Sequence, residues 1–152
     1  MTYQALAPRC LLLGLGALLA STTASAQGFN VDFDDSAFGT LTPASTYAAA
    51  GTAGTWNSVM VGTSAIPLLD KSGTASAVTI TLDSNLSADL YSDNVNTTGD
   101  DGSLMDDIIF GGSSGTSYPI TFDNLVNGTY DVYTYAMAPD NKLAYVTDVD
   151  VV

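Results

Sequence analysis

The segment "NVNTTGDDGSLMDD", residues 94–107, gathers carboxylate and amide side chains around two glycines. Such a stretch can be a calcium loop, a catalytic carboxylate cluster or a solvated turn between strands. An EF-hand loop that began at Asn94 would place Gly99 correctly at the sixth position. Its twelfth position would be Met105, however, where the motif needs a bidentate glutamate, so an EF-hand is excluded.

A looser calcium site remains open, because carboxylate oxygens are the ligands that this ion prefers. A solvated Asp/Gly turn is the competing interpretation. Closer to the N-terminus, Asp32, Asp34 and Asp35 form a second acidic group that could bind the ion in the same way. The calcium hypothesis assigns the ligands of the first site to Asp93, Asp100, Asp101, Asp106 and Asp107.

The chain offers few residue types for catalysis. It has no histidine and no glutamate, and its one cysteine, Cys10, lies close to the N-terminus. A Ser-His-Asp triad is therefore excluded. A pair of aspartates could still serve a glycoside hydrolase, which needs two carboxylates across the scissile bond. We expect a protein that is not an enzyme.

Aromatic residues give the strongest indication of a binding surface. In residues 129–137, strand alternation would place Asp131, Tyr133 and Tyr135 on one face, opposite Tyr130 and Val132. Such a face could stack against a sugar while the carboxylate bonds a hydroxyl. Packing inside a core is the competing interpretation, and it applies equally to Trp56 in "GTWN". The ligand-binding hypothesis assigns Asp131, Tyr133, Tyr135 and Trp56.

Short strands must position these residues. Apolar and polar residues alternate with period two in several segments, and Asn127-Gly128 is a strong hairpin signal. We predict an all-β fold, an antiparallel β-sandwich, with Pro119 at an edge or at the start of a strand. No long helix is predicted, and residues 44–50 would form at most a turn or two of helix. The alternation is clearest around Val31, Ile80, Ile120 and Tyr145, and weaker in 56–62, 89–92 and 108–110.

The charge balance limits the class of partner. All sixteen acidic residues are aspartates, opposed by three basic residues, and the net charge is −13. Such a surface repels nucleic acid and anionic lipid heads. A neutral polysaccharide or a cation such as calcium is the expected partner.

The sequence pattern at the N-terminus predicts that the protein is exported. Arg9, the apolar run 11–20 and the small-residue motif Ala24-Ser25-Ala26 follow the order of a signal peptide. The apolar run is about half of the ~20 residues that a membrane-spanning helix needs. We therefore predict a signal peptide at residues 1–26, a β-sandwich domain at 27–152, no membrane insertion after cleavage, and a secreted or cell-surface location. The chain ends within a strand pattern at Val152, from which we expect closing strands to be missing.

Two segments carry a resemblance: "GTAGTWNSV" (51–59) and "LVNGTYDVYTYAMAPDN" (125–141). Together with "FNVDF" they resemble a class of uncharacterised exported bacterial proteins, found often in planctomycete-like bacteria and frequently bearing a PEP-CTERM-type sorting tail. The resemblance implies a jelly-roll or galactose-binding-like β-sandwich, similar to many carbohydrate-binding modules. The present sequence departs from the class because it shows no sorting signal at its C-terminus.

Taken together, these features predict a non-catalytic, secreted or cell-surface adhesion or carbohydrate-binding module. One alternative is a structural component of an extracellular matrix or surface layer that binds no small ligand. The other is an Asp-based glycoside hydrolase.

The leader generates a direct prediction. When the chain is expressed in a bacterium with residues 1–26 present, the exported protein should begin at Gln27, because cleavage follows the small-x-small motif. N-terminal sequencing of the exported fraction measures this. Exported material that still begins at Met1 would contradict the prediction.

Overall fold

A computed structural model describes residues 27–34, 42–89, 97–105, 107–111 and 116–135. The described residues form an all-β protein with almost no helix, as predicted. One short helix occurs among them, α1, and no described helix is long and apolar enough to cross a membrane. The elements are β1 (Asn30–Asp34), β2 (Trp56–Met60), β3 (Ile66–Leu69), β4 (Ala75–Leu82), β5 (Leu86–Asp89), α1 (Asp100–Met105), β6 (Ile108–Gly111) and β7 (Ile120–Asp123).

The strands form three small sheets. β1 pairs with β2, β3–β4–β7 form a three-stranded sheet, and β5 pairs with β6. The last two sheets are antiparallel, as predicted, whereas β1 and β2 are parallel. A parallel pair needs a long connection between its strands. Residues 35–55 provide that connection. In its described part, residues 45–46 and 49–50 form turns that are not helical, so the short helix allowed for residues 44–50 is absent there.

The buried core is formed by residues of β2, β3, β4 and β5. β4 follows the predicted alternation, because Val78, Ile80 and Leu82 are buried while Thr79 and Thr81 are half-buried. Val59 of β2, Leu68 of β3 and Leu86 of β5 belong to the same buried cluster, and the aromatic and aliphatic residues of β1 pack against it. This arrangement is compatible with a sandwich, which stays a prediction.

Both edge strands of the β3–β4–β7 sheet have a proline, either within the strand or directly before it. β7 lies at one edge of its sheet and begins directly after Pro119, as predicted. β3, which sequence reasoning missed, lies at the other edge, with Pro67 next to a register shift. A prolyl nitrogen cannot donate a hydrogen bond, so an edge position is the compatible one.

The C-terminal part of the described chain departs from the prediction. β7 ends at Asp123 and is followed by Asn124 at φ 63°, a left-handed conformation that asparagine tolerates. Residues 129–135 form no strand, so the hairpin around Asn127-Gly128 is absent from the part that the structure describes. Ile120 and Phe122 are exposed, not packed in a core, because the residues that the structure describes leave both faces of β7 open. The predicted last strand, around Tyr145, and the signal peptide lie outside the described residues.

An acidic turn joins β3 to β4. Oδ1 of Asp70 accepts hydrogen bonds from the backbone N–H groups of Ser72 and Thr74, at 2.8 and 3.0 Å, and from the Ser72 hydroxyl at 2.6 Å. These bonds, that of the hydroxyl first, lower the pKa of Asp70. Gly73 adopts φ 84°, which a glycine accepts without strain. Aspartate therefore acts here as a turn residue, as its abundance indicates.

A buried amide joins the β1–β2 pair to β3. Asn57 of β2 is 8% exposed, and its Nδ2 donates to the carbonyl oxygens of Asn30 in β1 (3.0 Å) and Leu69 in β3 (2.9 Å). Its Oδ1 accepts from the N–H of Leu69 at 2.8 Å. One side chain thereby fixes three strands relative to one another.

We expect Asn57→Ala to lower the free energy of unfolding by about 2–4 kcal/mol, because three hydrogen bonds are lost and backbone groups of Leu69 lose their partner. Urea denaturation monitored by Trp56 fluorescence measures the change. Asn127→Ala, the control, removes an exposed amide and should stay within about 0.5 kcal/mol of the wild type. Equal effects of the two substitutions would contradict the role given to Asn57.

Candidate functional site

The loop 42–51 brings together residues that are far apart in the sequence. The N–H of Ala44 donates to Oδ1 of Asp100 at 2.8 Å, and the hydroxyl of Tyr47 donates to Oδ1 of Asp101. The N–H of Ala50 donates to the hydroxyl oxygen of Tyr135 at 2.5 Å. The loop therefore contacts both of the segments in which the sequence predicts binding residues.

Aromatic rings surround this loop. The rings of Tyr47 and Trp56 stack with centroids 6.0 Å apart and planes inclined by 29°. Nε1 of Trp56 donates to the carbonyl oxygen of Tyr47 at 3.2 Å. Tyr133 approaches the end of the loop, because a Cβ at Gly51 would lie 3.9 Å from its Cδ2. We call Tyr47, Trp56, Tyr133, Tyr135, Asp100 and Asp101 the aromatic–acidic cluster.

The cluster lies at the surface. Tyr133 is 57% exposed and Tyr135 is 44% exposed, while Tyr47 and Trp56 are half-buried. Burial in a core, one of the two interpretations of these tyrosines, therefore does not hold for Tyr133 and Tyr135 in the described structure. Rings that are partly supported below and open above can present a flat apolar face to a ligand.

The acidic residues of the cluster begin α1. Asp100 and Asp101 form its first turn, where the unpaired N–H groups of a helix favour negative charge. Sequence reasoning assigned this segment to a loop and missed the helix, because its six residues are shorter than a pattern of period 3.6 can reveal. The helix turns the two carboxylates toward Ala44 and Tyr47.

The carboxylate of Asp101 raises the pKa of Tyr47 to about 12, mainly through their hydrogen bond, with burial and the charge itself adding to the effect. The charges of Tyr135 and Asp100 act in the same direction, which shows how close these groups lie. The protonated phenol is therefore the form that the folded protein stabilises. At neutral pH it acts as a donor to Asp101.

The predicted metal ligands are only partly described. Asp93 and Asp106 lie outside the described residues. Asp100 and Asp101 bond to the loop 42–51, and Asp107 follows α1. Within the described ranges, no group of three or more histidine, cysteine, aspartate or glutamate residues lies close enough to hold a metal. Calcium binding by this segment stays a prediction.

The predicted ligand-binding residues are brought together in part. Trp56, Tyr133 and Tyr135 belong to the cluster, while Asp131 is exposed on the same segment as the two tyrosines. Asp100 and Asp101 supply the carboxylates beside the rings. Sequence reasoning missed Tyr47, although a single aromatic residue within "PASTYAAAG" is a visible signal. It could not show which distant residues this loop contacts.

Comparison with protein-family models, with curated proteins and with solved structures found no match.

We expect Tyr47→Phe to lower the free energy of unfolding by about 0.5–1.5 kcal/mol, since it removes one partly exposed hydrogen bond to a carboxylate. Because the folded-state pKa is raised, this contribution is complete below pH ~10 and is lost as the pH rises through about 12. Denaturation at neutral and alkaline pH measures it.

The same variant should lack the most alkaline step in an absorbance titration of the phenolates. Tyr130→Phe, whose hydroxyl bonds to the carbonyl oxygen of Val126 at 2.6 Å, is the matched control and should retain that step. Identical titration curves for Tyr47→Phe and the wild type would contradict the prediction.

Proposed function

We propose that this chain is a non-catalytic, secreted or cell-surface module that binds a neutral polysaccharide at the aromatic–acidic cluster. The observation that carries the proposal is the meeting of four aromatic rings and two carboxylates at one exposed place, from four separate parts of the chain. Sugars present both apolar C–H faces and hydroxyl groups. Rings and carboxylates side by side match those two features.

The hydrogen bonds within the cluster leave groups for a ligand. Asp100 and Asp101 both bond to the loop through Oδ1, so Oδ2 of each can accept from a sugar hydroxyl. Tyr135 accepts a hydrogen bond from Ala50 through its hydroxyl oxygen, so its own proton can be donated to a ligand. The loop contacts also hold the rings in place before binding, which reduces the entropy lost on association.

The charge of the chain selects among sugars. A net charge of −13 and two carboxylates in the cluster disfavour acidic polysaccharides. A neutral polysaccharide therefore fits better than an anionic one. The proposed fold for this module is a jelly-roll or galactose-binding-like β-sandwich, and the buried core that β2 shares with β3 and β4 is compatible with it.

Affinity electrophoresis in gels that contain neutral or acidic polysaccharides tests the proposal. We expect retardation in at least one neutral gel and none in acidic gels. Tyr133→Ala should weaken the interaction about tenfold or more, as loss of a central aromatic contact does. Stability should change little, because its ring is mostly exposed.

Tyr130→Ala is the matched control, because Tyr130 is an exposed tyrosine of the same segment that bonds to Val126 and not to the loop 42–51. It should retain full retardation. Equal losses for both variants would place the binding outside the cluster. No retardation in any gel would refute the proposal and favour a structural component of the matrix or surface layer.

A further inference from the structure

β1 carries two aspartates that are removed from solvent. Asp32 is 2% exposed and Asp34 is 1% exposed, whereas sequence patterning places them on the polar face of the strand. Residues two apart on a strand project from the same face, about 6.6 Å from each other. The apolar residues between and before them, Phe33 and Val31, pack against the core on the opposite side. Both faces of β1 are therefore covered.

Asp34 lacks the partners that a buried carboxylate requires. Among the residues that the structure describes, none donates a hydrogen bond to its Oδ1 or its Oδ2. Lys71, the basic residue within the described ranges, donates instead to the hydroxyl of Thr52 at 2.5 Å. A buried carboxylate is normally paired, hydrogen-bonded or bound to a metal, because an isolated charge away from water is very unfavourable.

We propose that Asp32 and Asp34 are ligands of a divalent cation, and that this cation is calcium. The Asp-Phe-Asp spacing directs two carboxylates from one strand face toward a common ion, and the buried, unbonded carboxylate of Asp34 independently requires a positive charge. Backbone carbonyl groups would complete the coordination, as calcium accepts six to eight oxygen ligands in irregular geometry.

The chemistry of the chain excludes other common metals. Zinc and copper sites use histidine or cysteine, and residues 27–152 contain neither. Magnesium loses its bound water reluctantly and usually keeps several water ligands, which a site with 1–2% exposure does not favour. Calcium exchanges its water for protein oxygens more readily. The site at Asp32 and Asp34 is separate from the calcium site that the sequence predicts near Asp100. A cation bound here would stabilise the β1–β2 pair.

Titration calorimetry and thermal unfolding of the full chain, freed of metal by a chelator, test the proposal. Calcium, added as its chloride, should bind with a stoichiometry of one ion per chain. At about 100 times its Kd it should raise the melting temperature by on the order of 5–10 °C. Magnesium chloride at the same ionic strength should raise it much less. The comparison is needed because any salt relieves the self-repulsion of a highly charged chain.

Asp34→Asn keeps the size of the side chain and removes its charge. This variant should lose the calcium-specific shift, and without metal it should melt at a higher temperature than the wild type, because no unbonded charge is buried. Asp123→Asn, which removes one exposed charge on β7, should keep the calcium shift. Asp101→Asn should keep it too, since Asp101 belongs to the other acidic segment.

Three results would overturn the proposal. Equal shifts with calcium and magnesium would mean general screening of charge. A wild type without a calcium shift, combined with a stabilised Asp34→Asn, would mean that Asp34 binds no cation. A calcium shift that survives in Asp34→Asn but disappears in Asp101→Asn would assign the ion to the segment near α1. If Asp34→Asn does not fold, the same criteria apply to Asp32→Asn.

Discussion

A buried side-chain amide must satisfy its donors and its acceptor within the protein, and Asn57 does so by bonding to strands of two different sheets. Hydrophobic contact alone, between Val59, Leu68 and Ile80, would hold the two sheets together without fixing their relative position. The amide adds direction, because Leu69 must present its N–H and its carbonyl oxygen to one residue. The mutual position of the β1–β2 pair and the β3–β4–β7 sheet therefore depends on Asn57.

Because successive side chains of β2 point to opposite faces, the position that Asn57 fixes for β2 also fixes Trp56 on the other face of the strand. Asn57 and Val59 point to the core, so Trp56 points the other way, and its indole donates to the carbonyl oxygen of Tyr47. The loop 42–51 is then held by Trp56 on one side and by Tyr135 and α1 on the other. Ala49 in this loop adopts φ 46°, a conformation that costs a non-glycine residue about 1–2 kcal/mol. The surrounding bonds offset that cost and keep the aromatic–acidic cluster in one arrangement.

The same face of the β1–β2 pair carries the two proposed functions. Since paired residues of a parallel register share a face, Asn30, Asp32 and Asp34 lie on the side of Trp56 and Ser58. A cation bound to the two aspartates would neutralise part of the −13 charge close to β2. It would also restrain the strand that carries Trp56. The carbohydrate-binding and cation-binding proposals rest on different residues, yet both act through this pair of strands.

The amino-acid sequence by itself determined the all-β class, the positions of β2, β4, β6 and β7 to within a few residues, and the scarcity of helix among the described residues. It did so because alternation in strands such as 78–82 is a local pattern, and because aspartate, glycine and proline restrict the backbone wherever they occur. Trp56, Tyr133 and Tyr135 were visible as candidates on the same local grounds. Short elements escaped, among them β3 and α1, since four to six residues carry too little periodicity.

Only the tertiary structure decided which candidates meet. The hydrogen bonds from Tyr47 to Asp101 and from Ala50 to Tyr135 span 54 and 85 residues, and no local pattern encodes such a contact. Burial of Asp32 and Asp34 was equally invisible, because alternation shows which residues share a face and not whether that face is covered. The exposure of Ile120 and Phe122 is the opposite case, an apolar face that the described fold leaves open. The alternation of residues in the sequence shows which side chains share one face of a strand. What packs against that face is decided only when distant parts of the chain come together.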